Sequence, residues 1–173
     1  MIRVTGGSLR GRVVRVPIAD GIRPTTERVR EALFSIVGQD LHGIRFLDAF
    51  GGSGAIALEA SSRGADVVVV EKDSAATRDL RARLDALGVT NVGMYPGNVL
   101  TNASKLGTFD VVFADPPWTA PVQPILDALA PLATTLFILE AEDATVVPER
   151  AGPHALDRSR NYGRTTLHIY RPA

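Results

Sequence analysis

The chain has 173 residues and equal numbers of basic and acidic side chains, 19 of each, so its formal net charge is zero. It has no cysteine, which excludes a disulfide framework and cysteine-ligated metal sites, and its three histidines are too scattered in sequence to indicate a metal site. No segment approaches the roughly 20 apolar residues of a membrane span, and the N-terminus shows no apolar signal core, so we expect a soluble, cytoplasmic protein without a metal.

Positive charge is concentrated near the N-terminus, where residues 1–30 hold seven arginines against two acids. Apolar residues alternate around Gly6-Gly7 and Gly11, which predicts a β-hairpin arm over residues 1–22, ahead of a main domain over residues 23–173. Arginine suits phosphate groups, so the arm could face a polyanion, although a solvated hairpin without a partner explains the same charges. The candidate phosphate-binding residues are Arg3, Arg10, Arg12, Arg15, Arg28 and Arg30.

An amphipathic helix is predicted after the arm. Arg23-Pro24 ends an extended segment, and Thr25-Thr26 provides a threonine that can cap the helix that follows. Val29 and Leu33 lie on one apolar stripe with the residues one turn further on, which leaves Arg28 and Arg30 on other faces of the helix. We therefore expect this helix to lie across a sheet.

A glycine-rich loop follows the first strand of that sheet, which is predicted over Ile44 to Ala49. In Phe50-Gly51-Gly52-Ser53-Gly54 the backbone can approach a ligand closely, and the helix predicted over 55–62 presents its free N–H groups there. The glycine spacing alone also satisfies a dinucleotide-binding pattern. Asp48 ahead of the loop can meet the ammonium group of a cationic ligand, or it can simply cap local backbone.

Polar residues also follow the second and third predicted strands. Val67 to Val70 leads into Glu71-Lys72-Asp73, and an acid at this position is the usual acceptor for ribose hydroxyls, so Glu71 is a candidate ligand-binding residue. Asp73 fits the N-terminus of the next helix instead. The strand Val92 to Tyr95 precedes Asn98-Val99, where Asn98 could bond an adenine edge or could be an ordinary turn residue.

The segment Phe109 to Trp118 combines a buried strand with a rigid turn. Its strand must end at Asp115, because Pro116 and Pro117 lack N–H groups and hold the preceding residues out of the helical region. Asp115 and a free carbonyl of the turn can accept both hydrogens of an exocyclic amine, while Trp118 stacks on the ring that bears it. Such a site holds a flipped base; the alternative is a structural proline-rich turn with a half-buried tryptophan.

The rest of the chain completes an α/β pattern. A helix is predicted from Pro121 to Leu132, a fifth strand from Leu136 to Glu140, and a closing β-hairpin around Asn161-Tyr162-Gly163. Strands that alternate with helices and end in a hairpin predict a doubly wound, mainly parallel seven-stranded sheet.

Two sets of motifs resemble known methyltransferases. Asp115-Pro116-Pro117-Trp118 resembles the Asp/Asn-Pro-Pro-aromatic tetrad of S-adenosylmethionine-dependent amino-methyltransferases, with Trp where Tyr or Phe is usual, and the segments from Asp48 onward follow the class I motif order. The outer segments resemble the RsmD family of ribosomal RNA methyltransferases. They are Arg3-x-x-Gly6-Gly7-x-x-Arg10-Gly11-Arg12, Arg23-Pro24-Thr25-Thr26-Glu27-Arg28-Val29-Arg30-Glu31 and Tyr162-Gly163-x-Thr165.

The resemblance implies a class I, Rossmann-like fold and S-adenosyl-L-methionine as cofactor. It implies methylation of the exocyclic N2 amine of a guanine in 16S ribosomal RNA, with that RNA or the small ribosomal subunit as partner, no membrane contact, and a monomeric protein. The implied cofactor-binding residues are Thr25, Asp48, Phe50, Gly51, Gly52, Ser53, Gly54, Glu71, Lys72, Asn98, Val99 and Asp115. The implied catalytic residues are Asp115, Pro116, Pro117 and Trp118, and Arg3, Arg10, Arg12, Arg15, Arg28 and Arg30 would bind RNA.

Three other functions remain open from the sequence. An NAD-dependent oxidoreductase fits the glycine loop and Glu71, but the chain lacks a recognisable hydride-transfer set and a second domain. A DNA adenine-N6 methyltransferase fits the tetrad, but no target-recognition domain is present. A non-catalytic RNA-binding ribosome assembly factor would bind RNA without transferring a methyl group.

Overall fold

A computed structural model describes residues 1–16 and 25–173 of the chain. The expected extended Arg23-Pro24 segment and the predicted arm boundary at residue 22 lie outside the described residues. The strands are β1 (Ile2–Arg3), β2 (Val13–Val14), β3 (Arg45–Asp48), β4 (Asp66–Glu71), β5 (Val92–Pro96), β6 (Phe109–Ala114), β7 (Ala133–Glu142), β8 (Arg150–Ala151), β9 (His154–Tyr162) and β10 (Thr165–Pro172). The helices are α1 (Glu27–Val37), α2 (Ala55–Ser62), α3 (Ser74–Ala86), α4 (Val99–Asn102) and α5 (Val122–Leu129), with 3-10 turns at Ala103–Lys105 and Ala130–Leu132.

The central sheet confirms the predicted doubly wound α/β class. Its order is β5-β4-β3-β6-β7-β10-β9-β8, in which the strands β3 to β7 are parallel and β8 to β10 are antiparallel. Within the described residues the sheet has eight strands where seven were expected, because the two residues of β8 pair with the start of β9. The chain winds outward from β3 in both directions, so the crevice between the ends of β3 and β6 is a switch point, where open α/β sheets bind ligands.

Two apolar layers cover the two faces of the sheet. Helices α1, α2 and α3 pack on one face around Phe34, Phe46 and Phe113, which are all buried. Helices α4 and α5 pack on the other face around Phe109 and Phe137. The inner strands are continuous runs of β-branched and aromatic residues, because both faces of these strands are buried. No helix of residues 1–16 and 25–173 is both long and apolar enough to cross a bilayer.

The N-terminal hairpin forms as predicted and is docked on the helical layer. Strands β1 and β2 pair antiparallel, with Ile2 opposite Val14, and both side chains join the same core as α1 and α2. Gly7 packs against the end of α2 so closely that an added Cβ would lie 1.9 Å from the Ser62 carbonyl oxygen, and its φ is +76°. The described part of the predicted arm is therefore held against the main domain on its apolar side, with its charged side outward.

Helix α1 begins where the sequence predicts, but one of its arginines is buried. Thr26 is the N-cap and accepts a hydrogen bond from the Val29 N–H. Arg30 was expected on a solvent-facing side and as a phosphate ligand, yet it is 2% exposed. Its guanidinium donates to Glu59 Oε1 at 3.2 Å and to the Thr25 and Arg3 carbonyls at 2.8 and 3.0 Å. The prediction that Arg30 binds RNA is therefore wrong, because every bond of this side chain is made inside the protein.

Candidate active site

The site is built at the switch point of the sheet, where two parallel strands end side by side. Asp48 is the last residue of β3 and pairs with Phe113 of β6, and the next backbone N–H, that of Ala49, donates to the Phe113 carbonyl at 2.9 Å. Strand β6 ends at Ala114, so Asp115 is the first residue beyond it. The two predicted aspartates therefore lie at the same edge of the sheet, on adjacent strands.

The glycine loop after β3 has the tight geometry that its sequence predicts. The Gly51 N–H donates to the Val70 carbonyl at 2.8 Å, which ties the loop to the end of β4, and Gly54 N–H donates to the Gly51 carbonyl at 2.7 Å. Gly54 begins helix α2 with a φ of +78°, and a Cβ there would lie 2.4 Å from Leu80 Cδ1 of α3. Glycine is favoured at this position, because any other residue would strain the backbone and press on the Leu80 side chain.

Asp48 is buried beside this loop with both carboxylate oxygens unpaired. It is 1% exposed, and neither oxygen has a hydrogen-bond partner among the described residues. Burial, followed by the nearby charges of Asp115 and Glu71, raises the pKa of the Asp48 carboxyl to about 7. A buried acid without donors is costly unless a ligand supplies them, so Asp48 is suited to bind a cationic group. The nearby Phe50 and Ala57 N–H groups lower the pKa of Asp48 by less than burial raises it, so the alternative, that Asp48 caps local backbone, stays a prediction.

Glu71 is held in position at the end of β4. Its carboxylate accepts hydrogen bonds from the Gly52 N–H at 2.7 Å and from the Asp73 N–H at 2.8 Å. One oxygen therefore contacts the glycine loop, and the carboxylate keeps further lone pairs that can accept from hydroxyl groups. Asp73 is the N-cap of α3 and accepts from the Ala76 N–H, which confirms its predicted structural role, whereas Lys72 is exposed.

Asn98 and Val99 differ in what they contribute. The side-chain oxygen of Asn98 accepts from the Leu100 N–H at 2.9 Å, so this residue is the N-cap of α4, in agreement with the plain structural alternative. Its amide group remains exposed at the carboxyl end of β5. Val99 is 2% exposed and belongs to the core under α5.

A second buried carboxyl, that of Glu140, joins the buried Asp48 and the half-buried Asp115. Glu140 of β7 is 5% exposed, and the Thr25 hydroxyl donates to its Oε2 at 3.5 Å. Burial and then the charge of Asp115 raise the pKa of Glu140 to about 9, while burial raises the pKa of Asp115 to about 7 against the opposing effect of a hydrogen bond from Thr25. The acids do not form a metal site: in the described part of the chain no group of three His, Cys, Asp or Glu is arranged to hold one.

Glu140 ends the predicted fifth strand, but no role is predicted for it from the sequence. The signal available was its position at the end of the fifth parallel strand, beside the strand that carries Asp115. Its pairing with Thr25, 115 residues away, depends on the fold and could not be read from spacing.

The Pro-Pro turn carries Trp118 out toward solvent. The Pro117 carbonyl accepts from the Ala120 N–H at 2.8 Å, whereas the Pro116 carbonyl takes no backbone hydrogen bond from the described residues. Trp118 is 40% exposed, and the guanidinium carbon of Arg164 lies 5.5 Å from the centre of its rings. An acceptor at Asp115, the free Pro116 carbonyl and an exposed indole are thus the groups needed to hold a planar ring with an exocyclic amine.

The predicted phosphate-binding arginines are otherwise on the surface. Arg3, Arg10, Arg12 and Arg15 of the hairpin are exposed, as is Arg28 of α1. The guanidinium carbon of Arg28 lies 5.9 Å from the centre of the Tyr162 ring. These five side chains, unlike Arg30, are available to a polyanion.

Comparison with known proteins identifies close relatives. A family model described as "Conserved hypothetical protein 95" matches residues 2–171. Ribosomal RNA small subunit methyltransferase D of Escherichia coli is 40% identical over 119 residues, which cover 68% of this chain and 60% of that protein's length. YlbH of Bacillus subtilis, provisionally named an rRNA methyltransferase, is 32% identical over 98% of both chains.

Solved structures share the fold. The structure of yhhF from Escherichia coli, provisionally described as a methyltransferase, superposes with a TM-score of 0.85 over 99% of this chain and 97% of that one, at 32% identity. SMU.776, provisionally described as a methyltransferase and solved in complex with SAH, has a TM-score of 0.68 over 83% of this chain and 48% of its own, at 13% identity, and this likeness concerns the fold alone. The fold is therefore that of the class I, Rossmann-like methyltransferases.

Proposed function

Because the chain belongs to the RsmD family, whose model spans residues 2–171, we propose that it transfers a methyl group from S-adenosyl-L-methionine to the exocyclic N2 amine of a guanine in 16S ribosomal RNA. The observation behind this proposal is that two adjacent strands end side by side with different equipment. One end carries the buried, unpaired Asp48 and the glycine loop, and the other carries the Asp115-Pro116-Pro117-Trp118 turn. The first element fits a cationic cofactor, and the second fits a flipped base.

The cofactor site would use residues from three consecutive strand ends. The unpaired oxygens of Asp48 suit the ammonium group, Glu71 suits the ribose hydroxyls, and the exposed Asn98 amide suits an adenine edge. A Cβ at Gly52 would meet only the Phe50 carbonyl oxygen, at 3.9 Å, so the backbone of the loop is open to a ligand there. When bound, S-adenosylmethionine supplies an electrophilic methyl group, so the protein's contribution is alignment of the amine with that methyl group.

The residues of the turn would hold the amine. Asp115 and the Pro116 carbonyl accept its two hydrogens, which makes the nitrogen lone pair available for attack, and Trp118 stacks on the guanine ring. An amine that gains a methyl group must lose one of its protons, and the Asp115 carboxylate, which would be hydrogen-bonded to that amine, would accept it. A pKa near 7 suits Asp115 for accepting that proton at neutral pH.

The RNA would be bound by the exposed arginines of the hairpin together with Arg28. We place the protein in the cytoplasm as a monomer on 16S ribosomal RNA or the small ribosomal subunit, in line with the bacterial rRNA methyltransferases it resembles. Each phosphate contact weakens as salt rises, by roughly 0.7 to 0.9 log units of affinity per log unit of salt. Charge reversal at Arg10 and Arg12 should therefore flatten the salt dependence of RNA binding, and an unchanged slope would show that the hairpin faces elsewhere.

The deciding experiment measures methyl transfer from labelled S-adenosylmethionine to undermethylated small ribosomal subunits, followed by mapping of the modified nucleotide. We expect label on a guanine N2 for the wild type and none for Asp115→Ala, with cofactor affinity in that variant within a few-fold of wild type. Asp85→Ala, at an exposed site on α3, is the matched control and should transfer at the wild-type rate.

Other substrates separate this proposal from its rivals. Label on an adenine N6 in DNA would assign the tetrad to DNA methylation. RNA binding without any transfer would support an assembly factor. Normal turnover by Asp115→Ala would remove Asp115 from the mechanism.

A further inference from the structure

Two arginine–aromatic pairs lie together where the C-terminal hairpin meets the site. The first is Arg164 over Trp118, with 5.5 Å from the guanidinium carbon to the ring centre, and the second is Arg28 over Tyr162, at 5.9 Å. Tyr162 and Arg164 flank Gly163, the turn glycine with a φ of +75° that joins β9 to β10. We call residues 162–164 the hairpin tip. It lies at the carboxyl edge of the sheet, since Thr165 pairs with Glu142 at the end of β7.

The hairpin tip is braced by polar contacts. The Gly163 N–H donates to Asn161 Oδ1 at 3.1 Å, and the Asn161 amide donates to the Gly163 carbonyl at 3.0 Å. The Asp143 N–H donates to the Arg164 carbonyl at 2.9 Å, which ties the tip to the residue after β7. The backbone of the tip is thus fixed, while the Arg164 side chain is exposed.

The hairpin that carries the tip is basic. Residues 150–173 contain five arginines and one acid, so this segment is a second basic region besides the N-terminal hairpin. Nucleic-acid surfaces that bind unpaired strands combine positive charge with exposed aromatic rings, on which bases stack, and arginine guanidinium planes stack on bases as well. Trp118 is exposed, whereas Tyr162 is half-buried against the core, so the indole is the more accessible of the two rings and the Tyr162 ring offers part of its surface. Both lie beside the turn that would hold the reacting base.

We propose that the hairpin tip, with Arg28, forms a second stacking position that binds an unpaired nucleotide adjacent to the target guanine. Arg164 covers the indole in the free protein and moves onto the RNA when the guanine stacks on Trp118, and Tyr162 with Arg28 takes the neighbouring base. This inference rests on the proposed function for the identity of the reacting base, but the stacking position itself is a property of RNA binding and is tested without catalysis.

The test measures binding of a short, unstructured, fluorescently labelled RNA oligonucleotide and of the same sequence as a duplex. Because stacking on one aromatic ring contributes roughly 5- to 100-fold in affinity, Tyr162→Ala should weaken oligonucleotide binding by about that factor and leave duplex binding within two-fold. Tyr162→Phe keeps the ring and should bind within two-fold of wild type. Arg28→Gln, which leaves the packing of Tyr162 in place, should weaken the oligonucleotide several-fold and guards against a folding defect in Tyr162→Ala.

Arg164 has its own readout and control. Trp118 is the sole tryptophan in the sequence, so its fluorescence reports on this ring alone. We expect the oligonucleotide to quench it in the wild type, and Arg164→Gln to weaken binding several-fold. Arg150→Gln is the control, because it makes the same charge change at the other end of the hairpin. Arg150 pairs with Ala155. At 3.3 Å per residue, Ala155 lies about 23 Å along β9 from the tip. This variant should bind as wild type.

The outcomes separate this inference from the proposed function. Wild-type oligonucleotide affinity in both Tyr162→Ala and Arg164→Gln would overturn the stacking position even if the protein methylates guanine. Equal losses for oligonucleotide and duplex, or an equal loss in Arg150→Gln, would overturn it in favour of general charge attraction. Selective loss of oligonucleotide binding in a protein that transfers no methyl group would support the stacking position and reject the proposed function.

Discussion

The carboxyl groups at the site cannot all be charged in the free protein. Burial is the largest cause that raises the pKa of Asp48 and Asp115 to about 7 and that of Glu140 to about 9. These pKa values favour a protonated Glu140 at neutral pH, and Asp48 and Asp115 are each partly protonated there. A cationic ligand beside Asp48 would shift this balance toward the ionised forms, so its binding should release protons.

This balance predicts how stability depends on pH. The ordinary pKa values are 3.8 for Asp and 4.5 for Glu, so between about pH 4 and the raised values the folded protein holds more protons than the unfolded chain. The free energy of unfolding should therefore fall as the pH rises through this window, by several kcal/mol between pH 5.5 and pH 8.5. Urea unfolding at both pH values measures the change, and Glu140→Gln should reduce it. A stability that rises with pH would contradict the raised pKa values.

Trp118 provides a second prediction at the scale of one residue. Its ring is exposed and its contribution to a flipped base would be stacking, worth about 1 to 3 kcal/mol per base. Trp118→Phe keeps a stacking ring and should lower kcat/KM only mildly, whereas Trp118→Ala should lower it by roughly ten- to a hundred-fold. Equal rates for the two variants in the methyl-transfer assay would mean that the indole does not hold the base.

At the scale of elements, a buried ion-pair triad joins the hairpin, α1 and α2. Glu59 of α2 lies between Arg30 and Arg63, and the side chains are 0%, 3% and 1% exposed respectively. Its carboxylate also accepts two bonds from the Thr5 N–H and one from the Thr5 hydroxyl. The triad thus fixes the hairpin backbone, and through the Arg30 bond to the Thr25 carbonyl it fixes the residue that contacts Glu140.

Removing the central charge of the triad should be strongly destabilising. Glu59→Gln leaves two buried guanidinium groups without a counter-charge, and breaking a buried pair in this way costs about 3 to 5 kcal/mol. For a chain of this size that lowers the melting temperature by roughly 6 to 20 °C. Glu31→Gln, at an exposed position on α1, is the matched control and should change stability by no more than about 0.5 kcal/mol. A Glu59→Gln melting temperature near that of the wild type would show that the triad contributes no net stability.

At the scale of the whole molecule, cofactor binding should stabilise the fold. A ligand that binds only the folded state adds about 2.7 kcal/mol at a concentration 100 times its Kd. S-adenosylmethionine should therefore raise the melting temperature by several degrees, and Asp48→Asn should reduce that rise because it loses the charge that meets the ammonium group. NAD should have no effect. A rise with NAD and none with S-adenosylmethionine would favour the oxidoreductase alternative.

The sequence predicted most of the architecture because its signals are local. The apolar runs of β3, β4 and β6, the glycines before α2 and the prolines after Asp115 each determine their own stretch of backbone, and all three features lie where they were expected. The burial of Arg30 was not predicted, because it depends on a contact with a distant residue. Its position on the helix looks solvent-facing, and its partner Glu59 is 29 residues away, so only the packing of α1 on α2 reveals the ion pair.

Residue roles that depend on contacts between distant parts of the chain could likewise not be predicted from the sequence. The contact between Thr25 and Glu140 joins residues 115 positions apart, and Arg164 reaches Trp118 from a separate hairpin. The short β8 was missed because two residues carry no periodic pattern. Spacing therefore identified the residues at the strand ends, but not the contacts between elements that orient them.

The position of β10 has a consequence for how the protein is made. Although β10 is the last of the ten strands of the described residues, it lies inside the sheet, between β7 and β9. A nascent polypeptide on the ribosome thus cannot close its sheet until β10 has left the exit tunnel, and the preceding β9 has no neighbour to bridge it to the parallel strands before then. A chain whose translation stops before β10 would lack a strand in the middle of the sheet rather than at its edge. Such a truncated chain should be a substrate for proteases.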